Sequence, residues 1–131
     1  MAVPDRVSNR ALAGHAVMVG RTKPIGKADS ARFAALQHLG CICCWLEGHP
    51  HIPAEIHHKT TAGRRDGHQE TLPLCPWHHR AVPPFGVSVQ SAREWLGPSL
   101  AEGKATFVGR YGTEEELLRR VNALIEHPYG G

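Results

Sequence analysis

The chain has no stretch of eighteen apolar residues, so no part of it is long enough to cross a bilayer as a helix. Its opening, MAVPDRVSNR, lacks the basic-then-apolar order of a secretory signal, and the expected location is the cytosol. Cysteine is scarce, at 4 in 131 residues, and Cys41, Cys43 and Cys44 lie too close together for an ordinary disulfide framework. In a reducing compartment such thiols suit a metal better than a disulfide. No internal repeat is visible, and the Gly and Pro residues are too scattered to mark a second domain. A chain of this length buries one modest core. No segment reads as a base-reading helix, so the sequence carries no sign of nucleotide specificity.

Charge and histidine are what the chain has, both unevenly placed. The net charge is only +3, yet residues 1–30 carry five basic side chains against two acidic ones, whereas residues 91–131 carry five against six. Seven of the ten histidines fall between His49 and His79. Residues 1–27, with Gly14, Gly20, Pro24 and Gly26 and no apolar period, are expected to form a flexible basic arm. In it, Arg6, Arg10, Arg21, Lys23 and Lys27 are candidates for nonspecific nucleic-acid contact or for docking on a protein–DNA filament. A single domain is expected over 28–127, with 128–131 as a tail.

Within that domain, Asp29–Leu39 has a capping Asp or Ser, Phe33, Leu36 and Leu39 at helical spacing, and Gly40 as a stop. A tight cysteine-rich turn follows at 41–44. Short strands at Ala54–His58 and Thr71–Leu74 would pair as a hairpin across a loop, Lys59–Glu70, and lead into a short helix at Trp77–Ala81 that Pro83 and Pro84 end. The last helix is the clearest: Thr113 and Glu116 make a capping box, and Leu117, Leu118, Val121, Leu124 and Ile125 share one face that should close the core.

Cys41-x-x-Cys44 offers two thiolates on one turn, and Cys75-x-x-His78 offers a thiolate and an imidazole on another. Four such ligands make a closed tetrahedral zinc site. A redox CxxC is the alternative, but no βαβ pattern surrounds it. Cys43 is left as a packed spare thiol, although a register that uses it in place of Cys41 or Cys44 stays open. Between the two ligand pairs, Glu55-Ile56-His57-His58 lies on a strand, where adjacent side chains point to opposite faces, so His57 and His58 have different tasks. Hydrolysis of a phosphodiester needs a base to make a nucleophile from water and a cation to neutralise developing charge. A neutral imidazole suits the first role at cellular pH.

The order strand-HH, loop, strand-PLC-x-x-HH, helix resembles the HNH endonuclease signature with embedded zinc knuckles. The runs LGCICC, AEIHHKTTAGRRDGH, ETLPLCPWHH and YGTEEELL resemble the Ref-type, phage-encoded recombination-enhancement, RecA-dependent nucleases, over residues 23–126. The resemblance implies an α+β fold: a small ββα-metal (HNH) domain with zinc knuckles, flanked by an N-terminal and a C-terminal helix. It implies that His57 and His79 bind a catalytic magnesium or manganese ion and that His58 is the general base. Cys41, Cys44, Cys75 and His78 would hold the structural zinc. DNA would be the substrate, and a RecA filament a partner.

Three positions depart from that pattern. The middle asparagine is absent, with Glu70 or Thr71 in its place and His68 as the nearest polar substitute and a further candidate ligand. Gln90 stands where the pattern has histidine, and Pro83 stands where colicin-type sites place another ligand. The catalytic ion would then have two or three protein ligands, completed by water and substrate, which suits magnesium. Lys59, Arg64, Arg65 and Arg80 are candidate phosphate contacts. Trp77 and Phe85 are expected to pack over the zinc, and His15, His38, His49, His51 and His127 to lie on the surface. The alternative function is a zinc-stabilised nucleic-acid-binding module that has lost cleavage.

Overall fold

Asp29 decides where the first helix begins. Its carboxylate accepts a hydrogen bond from the Gly26 N–H at 3.0 Å, one of the donors a helix start leaves orphaned, so α1 runs Lys27–Leu39 and opens two residues earlier than expected. The structure, a computed structural model, describes residues 24–127. The basic arm lies outside the described residues except at 24–27, and so does the tail 128–131. Gly40 ends α1 with φ of 80°, and a Cβ there would meet the Ile52 carbonyl oxygen at 2.9 Å, so no other residue fits the turn without displacement. The cysteine-rich turn is the start of a second short helix, α2 (Ile42–Leu46), capped by the Cys41 sulfur, which accepts from the Cys44 N–H at 3.5 Å.

Strand β1 (Glu55–His58) pairs antiparallel with the strand Thr71–Leu74 in the register Glu55↔Leu74, Ile56↔Pro73, His57↔Leu72, His58↔Thr71. The Lys59 N–H donates to the Glu70 carbonyl at 2.9 Å, and hydrogen-bonded sites alternate from there. Pro73 therefore falls at a site whose N–H the partner strand does not use, which is how proline sits in the hairpin. The intervening segment, expected as plain loop, carries its own ribbon of β2 (Thr60–Thr61) and β3 (Arg64–Arg65), so the long returning strand is β4. Ala62 and Gly63 both have positive φ, 53° and 79°, the conformation of a tight two-residue hairpin turn.

Helix α3 (Pro76–Arg80) follows β4 directly, with Pro76 at a first-turn position that needs no N–H. Ala81 stops it in the left-handed conformation, φ 59°, just ahead of Pro83 and Pro84. Between α3 and the last helix the chain forms two helices that were not expected, α4 (Val89–Leu96) and α5 (Lys104–Tyr111), joined by a 3-10 turn at Leu100–Glu102. Helix α6 (Glu114–Glu126) has the expected capping box and buries Leu117, Leu118 and Val121.

The core is one cluster in which Leu36, Ile42, Leu72, Leu74, Trp77, Phe107, Leu117 and Val121 are almost wholly buried. Arg32 of α1 ties three elements together: its Nε and Nη2 donate to the Thr71 hydroxyl and carbonyl at 2.9 and 2.7 Å, and its Nη1 to Asn122 of α6 at 2.8 Å. The result is a small α+β domain built on the β1–β4–α3 unit, as the resemblance implied, with more helix than it required. No helix among the described residues is long and apolar enough to cross a membrane.

Candidate functional site

Four buried ligands meet where α2 and α3 begin. The Sγ atoms of Cys41, Cys44 and Cys75 and the Nδ1 of His78 lie within 4.8 Å of one another. The edges are 3.8 Å for Cys44–Cys75, and 3.4, 3.6 and 3.3 Å from His78 Nδ1 to Cys41, Cys44 and Cys75. Ordinary zinc–sulfur and zinc–nitrogen bonds in a tetrahedron give sulfur–sulfur edges of about 3.8 Å and sulfur–nitrogen edges of about 3.5 Å. The donor set and its size both fit zinc, with each pair of ligands placed by one short helix start. Cys43 is buried too, but it is not one of the four.

Surrounding groups orient the set. His78 turns its Nε2 to the Leu96 carbonyl at 2.8 Å and to the Tyr111 hydroxyl at 3.1 Å, which aims Nδ1 at the three sulfurs as the nitrogen a metal would take on displacing its proton. The Tyr111 hydroxyl lies 2.8 Å from Glu47 Oε2, and Arg110 forks onto the same carboxylate at 2.9 and 2.6 Å. Burial opposes a charge on His78, but the sulfurs of Cys41 and Cys75 hold its pKa up at about 9. Hydrogen bonds from Cys43, Cys44 and Cys75 drive the Cys41 thiol far below its ordinary value. A cation binding here displaces protons that the cluster otherwise shares.

Strand alternation separates the other histidines into two groups. On one side of β1, the His57 and His79 rings lie 5.1 Å apart, and His57 Nε2 is 2.6 Å from Glu114 Oε2. On that same side Glu55 Oε1 is 2.9 Å from His79 Nδ1. A His79 that donates from Nδ1 to Glu55 keeps Nε2 as an acceptor, the arrangement a metal-binding histidine uses. Burial holds His57 below its ordinary pKa, against the upward pull of Glu114. The Glu55 carboxyl is held down at about 2, chiefly by its hydrogen bonds to Arg80 and with help from His79.

On the other side, His58 Nε2 lies 3.1 Å from His68 Nδ1, and the Phe33 ring of α1 packs edge-on against both imidazoles at 6.3 and 5.7 Å. Burial lowers the His58 pKa, and the Arg65 cation and His68 lower it further. His68, the expected substitute for asparagine, is thus beside His58 rather than beside His57 and His79. Among the described residues, the Cys41–Cys44–Cys75–His78 group is the one in which three or more candidate ligand atoms gather round a point.

The candidate phosphate contacts differ in what holds them. Lys59 is buried and ion-paired with Asp66, which also accepts from the Thr61 hydroxyl at 2.7 Å. Arg80 forks onto Glu55 at 2.9 and 2.5 Å. Arg64 and Arg65 sit exposed on the ribbon beside β1. Gln90 is exposed on α4 with Glu94 at 3.3 Å. Trp77 is buried in the core, donating to the Gly97 carbonyl at 2.8 Å, but Phe85, expected to pack over the zinc, is fully exposed after the Pro83–Pro84 turn.

Glu55, Glu114, Glu47 and Tyr111 were not among the expected site residues. Glu55 was legible, because period two along EIHH places it on the His57 face. Glu114 was not, since only the long-range packing of α6 brings it to β1. No curated protein matches the sequence closely enough to count as a relative. A family model described as recombination enhancement, RecA-dependent nuclease matches residues 26–126, which span every element from α1 to α6 and both groups of candidate ligands. By that match the chain belongs to the recombination enhancement, RecA-dependent nuclease family.

Proposed function

We propose that this protein is a metal-dependent HNH-type endonuclease that hydrolyses phosphodiester bonds of DNA, acting on RecA-bound or recombination-intermediate strands. The observation that supports it most is the division of labour along β1. His57 faces His79 and Glu114, a nitrogen and oxygen set suited to a hard cation, while His58 lies on the opposite face with its neutral form favoured. Magnesium or manganese bound beside His57 and Glu114 would neutralise charge growing on the phosphate and on the departing 3′ oxygen. His58, with Nε2 against His68, has Nδ1 to take the proton from the attacking water. Arg64 and Arg65 on the ribbon would hold the flanking phosphates, and Glu55 would fix the tautomer of His79. The cysteine-rich centre is structural: it pins α2 to α3 so that His79, one residue after His78, keeps its place.

A module that binds nucleic acid without cutting it is the second reading. It is favoured by His57, His79 and Glu114 not gathering into a three-ligand set as the cysteines do. The deciding experiment is a nicking assay with magnesium or manganese on duplex, single-stranded and RecA-coated DNA. His58→Ala should lower the rate by about 10²–10⁴-fold while zinc content is retained. A wild type that cuts none of the three substrates would overturn the nuclease reading.

A further inference from the structure

The outer face of α6 and the exposed side of α2 enclose a groove of about 490 Å³ that the proposed reaction does not use, lined by Trp45, Glu116, Arg119, Arg120, Ala123 and Leu124. The five α6 residues recur at the 3–4 spacing of a single helix face, adjoining the face that buries Leu117, Leu118 and Val121. Trp45 is 45 % exposed, and unlike Trp95, which packs against His49, its indole meets no other aromatic ring among the described residues. Opposite it, Ala123 and Leu124 give an apolar wall and Arg119 and Arg120 two guanidinium groups. Glu116 also lines the groove and offsets part of that charge, but its Oε1 already accepts from the Thr113 N–H at 2.7 Å, and two guanidinium groups against one carboxylate leave the lining net positive. Any occupant must therefore offer a flat apolar surface together with negative charge.

We propose that this groove holds an unpaired nucleic-acid strand, one base stacked on the Trp45 indole and the adjoining phosphates on Arg119 and Arg120. A duplex satisfies only half of the surface, because its bases are already stacked on each other and it presents phosphates alone. A single strand can turn a base face outward, and stacking on an aromatic side chain tolerates any base. The groove is set apart from the candidate active site: Glu114, which touches His57, starts the same helix on its buried face, whereas Arg119 and Arg120 stand about 8–9 Å further along the axis on the outer face. The proposal rests on the DNA-cutting reading for its substrate but is tested without cleavage.

The test is fluorescence anisotropy of a labelled single strand of about twenty nucleotides and of its duplex, with the full zinc-loaded chain and no magnesium or manganese. Trp45→Leu should weaken single-strand binding at least about fivefold, Trp45→Phe should restore most of it, and duplex binding should change much less. Arg119→Gln and Arg120→Gln should each lower the slope of log affinity against log salt by about 0.7. Trp95→Phe is the control, since that exposed indole already packs edge-on against His49 at 5.8 Å. Equal single-strand affinity for wild type and Trp45→Leu overturns the proposal. So does an equal loss on duplex, or a loss of nicking confined to RecA-coated DNA with naked-strand binding unchanged, which would make the groove a protein-docking surface. If the variants behave as expected and the wild type never nicks, the groove stands and the nuclease reading falls.

Discussion

Glu114, the first residue of α6, places its Oε2 2.6 Å from the Nε2 of His57, 57 residues earlier on β1. The carboxylate is buried, so its charge is directed at the histidine rather than at solvent. Glu114→Gln keeps the shape and a hydrogen-bonding oxygen but removes the charge. If the pair takes part in holding the catalytic ion, magnesium-dependent nicking should fall by about 10–100-fold, with zinc content unchanged. An unaltered rate at saturating magnesium would remove Glu114 from the site.

What the sequence disclosed and what it hid follow from the range of the interactions. The cluster of four candidate zinc ligands was legible because each pair is local: Cys41 with Cys44, and Cys75 with His78, lie on single helical turns whose capping fixes their directions. The opposite facing of His57 and His58 was legible from strand alternation alone. Helices α4 and α5 were missed because each is only eight residues long and set off by Gly97, Pro98, Gly103 and Gly112, although α4 does carry a Ser88 cap and Val89, Ala92 and Leu96 at helical spacing. Phe85 was misplaced because proximity in sequence to the knuckle said nothing about the direction in which two prolines send the chain.

The metal centre should dominate stability. A structural zinc contributes about 10–16 kcal/mol of binding free energy, as large as the whole stability of an ordinary domain. One zinc per chain is expected by elemental analysis, and a strong chelator should abolish cooperative thermal unfolding. Cys75→Ser should do the same, whereas Cys43→Ala should keep its zinc, since Cys43 lies outside the ligand set. Zinc loss from Cys43→Ala would show that the register of ligands is different.

Acid should weaken the fold through Glu47. Arg110, and to a lesser extent Tyr111, holds its carboxyl below the ordinary value of 4.5. A carboxylate with a depressed folded pKa stabilises fully above its unfolded value and ceases to do so as the pH falls through the folded one. The stability difference between wild type and Glu47→Gln should therefore be constant above about pH 5 and shrink below about pH 4.5. Urea denaturation of both proteins across that range checks it. The comparison is made at each pH because acid also returns protons to the cysteine ligands in both. A difference that stays constant down to pH 3 would show that Glu47 is not paired in solution.

Tyr111 connects that carboxylate to the candidate zinc ligand His78. Its hydroxyl lies 3.1 Å from His78 Nε2 and 2.8 Å from Glu47, while the Leu96 carbonyl accepts from the same imidazole at a shorter 2.8 Å. Tyr111→Phe keeps the ring, which packs edge-on against His78 and Phe107 at 5.4 and 5.1 Å, and removes the oxygen alone. With Leu96 still orienting His78, zinc affinity measured by chelator competition should fall by less than about tenfold, at the low end for lost outer-shell partners. Stability should drop by about 1–2 kcal/mol, since Glu47 keeps Arg110 but loses a buried donor. A hundredfold loss of zinc affinity would mean that the hydroxyl, not the Leu96 carbonyl, sets the orientation of His78.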